Sequence, residues 1–334
     1  LQFNGSSSFG NNNLIANIDS NIDLGASAQV NVGTQTLTLN TTGGSINGGT
    51  DDNTADLIGA TINLTASSGG IGTTTPLDVT AGTALNADST ADNANILIDS
   101  IGSLPVGLVD AGTGDVSLRT VDGSVLDARV DNNVNVRAQS LDIDANGAGA
   151  TIGAGGNDLE VDTSRGSPAP TDTSAGGDDV ALEATGGIYL EEIDGYLRLV
   201  LAHSFEGNIQ LHVRESSQLD ENLILVHSGS ARFADADRII DNGTIFAEQG
   251  QVTLNVGDNV ETDSNSDILA AKDITIRGDF LNFDFGKGAT IVLRGRIIAG
   301  ADVTPGDQIG GTPLGTSIPT FTAPQYRTRI NGNT

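Results

Sequence analysis

Pairs of aliphatic side chains separated by one polar or small residue recur along the whole chain. They stand at Leu37 and Leu39, Ile62 and Leu64, Leu77 and Val79, Ile96 and Ile98, Val116 and Leu118, and Val134 and Val136. The same step returns at Val180 and Leu182, Ile209 and Leu211, Leu223 and Leu225, Val252 and Leu254, and Ile274 and Ile276. A period of two puts both apolar side chains on one face of a short strand. In the first series the steps begin 25, 15, 19, 20 and 18 residues apart. A loose period near 20 residues is what one coil of a parallel β-helix consumes, and such a coil buries its apolar face only by stacking on its neighbours. Longer words repeat too: GDVSLRTVDGSVLDA at 114–128, DDVALEATGGIYLEEI at 178–193 and GQVTLNVGDNV at 250–260 each read turn, strand, glycine corner, second strand. The corner glycines Gly123, Gly187 and Gly257 are expected to supply positive φ or close backbone approach. The nearest approach to a helical period, SARFADADRII at 230–240, is short and carries Asp at inward positions, so almost no helix is expected. The fold predicted is all-β, a right-handed parallel β-helix or solenoid, with an array of β-sandwiches as the alternative.

Composition sharpens this picture. Aromatics make up only 4% of the 334 residues, so the core must be thin and built of stacked Val, Ile and Leu. Asp and Glu number 43 against 15 Lys and Arg, a net charge of −28, which repels phosphate backbones and excludes nucleic acid as a partner. Cysteine is absent, and with it thiol nucleophiles, disulfides and thiolate metal sites. Methionine is absent as well, so a chain opening on Leu1 reads as a processed or excised piece of a longer product. No apolar run is long enough to span a bilayer as a helix, so no transmembrane segment is expected.

Four stretches are distinguished: an Asp/Asn/Gly-rich β-helical segment over 1–163, a Pro/Gly/Ser/Thr-rich loop or insertion over 164–177, a better-packed β-helical segment over 178–300, and an extended tail or linker over 301–334. The second half holds all three histidines, all three tyrosines and most of the phenylalanines. At ~20 residues per coil and ~4.8 Å per strand spacing, about 15 coils would form a rod roughly 70 Å long.

The phrases IGTTTPLDVTAG at 71–82, DAGTGDVSLRTVDGSVLDA at 110–128 and AKDITIRGDF at 271–280 resemble the repeats of giant bacterial surface proteins of the filamentous-haemagglutinin and adhesin type. The resemblance spans about residues 45–295. It implies an internal segment of a secreted, repetitive right-handed β-helix, located outside the cell or on its surface. The tail YRTRINGNT at 326–334 is similar to linkers that lead into calcium-binding nonapeptides in such proteins, yet this chain has no tandem GGxGxDxUx run. The implied role is structural: a stalk, fibre or adhesin segment that stacks head to tail into a filament or onto adjoining segments of a longer chain, with surface glycans or other cells as further partners.

Two other functions compete. A carbohydrate-active β-helix, lyase or hydrolase, would place carboxylates on one outward face; Glu191, Glu192 and Asp194 beside Arg198 are the group available, though a solvated corner explains them equally. With no Trp and three Tyr, little is present to stack a sugar on, and no enzyme activity is expected. His203, His212 and His227 lack metal-ligand spacing and read as surface or turn residues. The third reading is a calcium-dependent adhesion module. Its candidate ligands are the close Asp pairs Asp142 with Asp144, Asp178 with Asp179 and Asp235 with Asp237, and also Asp51 with Asp52. Calcium is therefore the one cofactor considered, and none is required.

Overall fold

The computed structural model describes residues 1–129, 131–164, 179–216, 221–227, 243–281, 283 and 288–300, together with the backbone of Thr328–Gly332. Among them every regular element is a strand. The strands stack in parallel into a β-solenoid of about 11 turns, which is the predicted parallel β-helix. The chain forms two compact units, Leu1–Val161 and Asp162–Thr334.

In the first unit, alternation sets the register. Leu14 pairs with Leu37, Leu37 with Ile62, Ile62 with Leu85, and Leu85 with Val106. A second column runs from Leu77 through Ile98 and Leu118 to Ile143. From Leu37 and Leu77 onward the members of both columns are fully buried, so each coil contributes one aliphatic layer and stacking supplies the core. A one-residue slip would turn every such side chain outward, so the apolar alternation is what holds the strands in register. On the outer face, side-chain amides repeat in step: Asn40 donates to Asn17 at 2.8 Å and Asn86 to Asn63 at 2.9 Å.

The second unit obeys the same rule with longer coils. Ile209, Leu211 and Val213 pair with Ile188, Leu190 and Glu192 on one side and with Val252, Leu254 and Val256 on the other. Its strand Leu197–Ser204 is buried at all eight positions. Inward residues such as Leu199 line the coil, while Leu201, Ile224, Phe246 and Leu269 join a second buried apolar cluster. The aromatics of this half therefore lie largely outside the thin aliphatic core.

Coil length accounts for 11 turns where 15 were expected. Backbone partners on adjacent coils are only 20 residues apart where Asp115 N–H meets Asn95, but 27 where Thr151 N–H meets Ser124 and 43 where Gln251 N–H meets Asn208. Residues 228–242 lie within that last interval, outside the described residues, as does the candidate helix at 230–240. Most of the 164–177 stretch and of the tail is likewise outside them. Within the tail, Thr328–Gly332 forms a strand paired with Ile274–Gly278.

The corner glycines work by close approach. None of Gly123, Gly187 and Gly257 has positive φ. A Cβ on Gly257 would sit 2.9 Å from the Glu215 Cα, and one on Gly187 would sit 2.7 Å from the Tyr189 ring.

Candidate functional site: a stacked carboxylate column

Outward positions of successive coils also fall in register, and one such column is acidic. It is carried by the words ADL at 55–57, LDV at 77–79, IDS at 98–100, LRT at 118–120 and IDA at 143–145. Leu57 pairs with Val79, Asp78 with Asp99, Asp99 with Arg119, and Arg119 with Asp144. The order along the column is thus Asp56, Asp78, Asp99, Arg119, Asp144. Parallel strands set these side chains about 4.8 Å apart. At that distance two carboxylate charges repel by about 3 kcal/mol at an effective dielectric of about 20.

A loop closes over the acidic end. The Gly48 site packs directly against the Pro76 carbonyl, where no Cβ fits. Asn53 adopts φ of 58°, and the Asp52 carboxylate accepts from the Thr54 N–H and the Thr50 hydroxyl, both at 3.0 Å. This turn brings Asp51 over the column. One oxygen from each of Asp51, Asp78 and Asp99 lies within 4.8 Å of the other two. Asp51 is exposed, whereas Asp78 has no accessible surface and Asp99 only 5%.

The three buried acids differ in their partners. Asp56 accepts the Gly49 N–H at 3.3 Å and the Asp78 N–H at 3.4 Å. Asp99 faces Arg119 at 3.8 Å. Neither carboxylate oxygen of Asp78 has a hydrogen-bond partner; the Asp52 amide acts on it from outside hydrogen-bond geometry. Burial pushes Asp56 and Asp99 up to about 6. Burial, and then the neighbouring Asp56 charge, push Asp78 up to about 7. Carboxylates this crowded hold either protons or a cation at neutral pH.

The predicted calcium ligands are placed elsewhere. Asp142 and Asp144 both sit on strand Leu141–Ala145, Asp142 opposite Ser117 and Asp144 opposite Arg119. Asp179 forms a buried ion pair with Arg198. Asp178, Asp235 and Asp237 lie outside the described residues. Asp51 was legible as half of an Asp pair. Asp78 and Asp99 were not, because each stands alone locally; the signal was an Asp after an aliphatic residue recurring at coil distance, at 56, 78 and 99.

The carboxylates around Glu191 do not form one group with Arg198. Glu191 is gripped by Arg214, with N to O distances of 2.9 and 2.7 Å, and lies 3.5 Å from His212. Burial, helped by the Arg214 charge, holds His212 below its ordinary value. Glu192 points inward at the position level with Val213; it is fully buried, and burial pushes it well above the carboxylate range although the Thr163 hydroxyl and N–H donate to it.

His203 corrects the expectation of a surface histidine. It is 2% exposed because its strand lies between those of Glu183 and Phe246. Its ring stacks on Phe246 at 5.6 Å, and its nitrogens face Glu248 at 2.9 Å and Glu183 at 3.6 Å. Burial pulls its pKa down, yet the two glutamates together leave it raised. A second acidic group, Glu215, Glu221 and Asp258, is wholly buried; Asp258 accepts the Glu221 N–H at 3.1 Å, and Ser216 donates to Glu221. A groove of about 180 Å³ opens beside Asn222, Asn259 and Glu261, whose carboxylate is held by Arg294 at 2.6 Å.

No protein-family model, curated protein or solved structure matches this chain. No helix among the described residues is long and apolar enough to cross a membrane.

Proposed function

We infer that this chain is a structural segment of an extracellular fibre or cell-surface adhesin, a rigid spacer that stacks end to end. The observation that carries this reading is the end face of the first coil. In strand Leu14–Ile18 the inward residues Leu14, Ala16 and Ile18 are half-exposed, whereas Leu37 and Leu39, one coil on, are completely buried. Leu1 is 42% exposed. That face offers an aliphatic layer and unpaired strand edges, which another coil would cover with the same stacking and main-chain ladder that join the coils internally. The occupant of this reading is a second copy of the chain, its mechanical strength supplied by axial hydrogen bonds and the aliphatic column. Secretion and surface display belong to the same reading, supported by the acidic, cysteine-free composition and by the resemblance to adhesin repeats.

The test is negative-stain electron microscopy and sedimentation of the purified chain across a concentration series. Filaments or end-to-end oligomers that are lost in Leu14→Asp and Ala16→Asp variants support the reading. A monodisperse monomer at the highest attainable concentration refutes it.

A further inference from the structure

We propose that Asp51, Asp78 and Asp99 form a calcium site, each giving one carboxylate oxygen to an ion seated between the 48–54 loop and the strands Leu77–Asp88 and Ile96–Ser100. The site does not depend on end-to-end stacking, since all its donors lie within the first unit.

Four observations converge on it. First, the donor oxygens lie within 4.8 Å of one another. With calcium–oxygen bonds of about 2.4 Å, that is the widest gap two donors on opposite sides of one ion can span. Second, Asp78 is 0% exposed, reaches into the cluster and has no hydrogen-bond partner on either oxygen. A folded interior rarely leaves a carboxylate so placed without a counter-charge. Third, the charge balance calls for a divalent ion. Three carboxylates meet one arginine, Arg119, which stands 3.8 Å from Asp99 with its side chain 42% exposed. Fourth, the site has an entrance: Asp51 is exposed and arrives on a loop, so an ion can enter without opening the β-ladder.

The donors are all carboxylate oxygens, the choice of a hard cation, and neither histidine nor thiol is present to favour zinc or copper. Two rigid strands and a loop make an irregular cage. Calcium tolerates such irregularity and completes its shell with water, while magnesium demands a near-octahedral set at about 2.1 Å. Asp56 is not a ligand in this arrangement; it holds the Gly49 and Asp78 amides and so ties the loop to the strand.

The experiment is titration of calcium chloride into the metal-stripped full chain, by calorimetry and by the shift in thermal midpoint, with magnesium chloride in parallel. The variants are Asp51→Asn, which changes an exposed donor without touching the core, Asp78→Asn, and Asp92→Asn as an exposed control. The expected result is saturable calcium binding with a raised midpoint, unchanged in Asp92→Asn and weakened at least tenfold in Asp51→Asn. Asp78→Asn should fold and lose the response. Absence of binding up to about 10 mM calcium, beyond the range of weak extracellular modules, overturns the proposal. Binding that Asp51→Asn leaves intact also overturns it, and magnesium binding as tight as calcium overturns the choice of ion.

Discussion

In the metal-stripped protein, Asp78 should make stability fall as pH rises from about 4 to 8, and Asp78→Asn should remove that dependence. The sign follows from linkage. The folded-state pKa of Asp78 is raised from 3.8 to about 7, so between these values the unfolded chain has released a proton that the folded chain retains. Its contribution is fully present below about 3.8 and is lost as pH climbs through about 7. A displacement of that size corresponds to about 4 kcal/mol at 1.36 kcal/mol per pH unit. Solvent reaches the column beside exposed Asp51, and the acids share protons, so about half, ~2 kcal/mol, is the figure to expect for this residue. The charged groups that act on it are Asp51, Asp56, Asp99 and the Asp52 amide, with Arg119 next to Asp99. The assay is urea denaturation, which leaves ionic strength unchanged, of wild type and variant at about pH 4.5 and pH 8 in calcium-free buffer. Comparing the two proteins cancels the general repulsion within a chain of net charge −28. The variant should gain about 2 kcal/mol on the wild type between the two pH values. An equal difference at both would refute the reasoning.

His203 should titrate above its ordinary 6.5, because Glu183 and Glu248 outweigh its burial. Its stabilising share is complete below 6.5 and fades as pH rises through the raised value, a loss that His203→Gln should abolish; the imidazole resonance followed by NMR against pH reads the pKa directly. Gly207→Ala should destabilise by about 1–3 kcal/mol in thermal or urea unfolding, because its Cβ would lie 2.5 Å from the Gly187 Cα and 2.6 Å from the Gly186 carbonyl carbon on the next coil. Gly102→Ala, where the Cβ meets nothing within 4 Å and φ is not positive, should instead be neutral or gain about 0.4–1 kcal/mol from a less flexible unfolded chain.

The fold was legible because its rule is local: two apolar residues with one between them identify a strand and its inward face. Coil length was less so. A period read from Leu37 to Val134 averages the short coils, while the 43-residue step from Asn208 to Gln251 carries an insertion whose size strand chemistry does not limit. The site was the least legible part. Adjacent Asp pairs such as Asp142 and Asp144 attract the eye, but on a strand both project outward two residues apart along one coil. Residues a whole coil apart, Asp78 and Asp99, are the ones brought side by side. Histidines misled for the same reason: His203 looks solitary until Glu183 and Phe246 arrive from the coils on either side.

A solenoid turns a repeated outward residue into a column of equal charges one strand spacing apart, so an acidic solenoid needs a counter-charge at nearly every rung. This chain meets much of that need with arginine placed one coil from the acid: Arg119 on Asp99, Arg137 on Asp110, Arg214 on Glu191, Arg294 on Glu261 and Arg296 on Asp267. With 15 basic residues for 43 acidic ones, arginine cannot serve every rung. Isolated and exposed carboxylates are screened by water and salt. A buried rung has only two remaining options, a proton or a metal ion, and the choice depends on whether a further donor reaches it. Glu192, with the Thr163 hydroxyl against it and no accessible surface, is built for the proton. Asp78, with no donor on its oxygens and the Asp51 carboxylate brought over it by a loop, is built for the ion. An ion there would join two coils and a loop through side chains, adding to the column a cross-link that the backbone ladder does not provide.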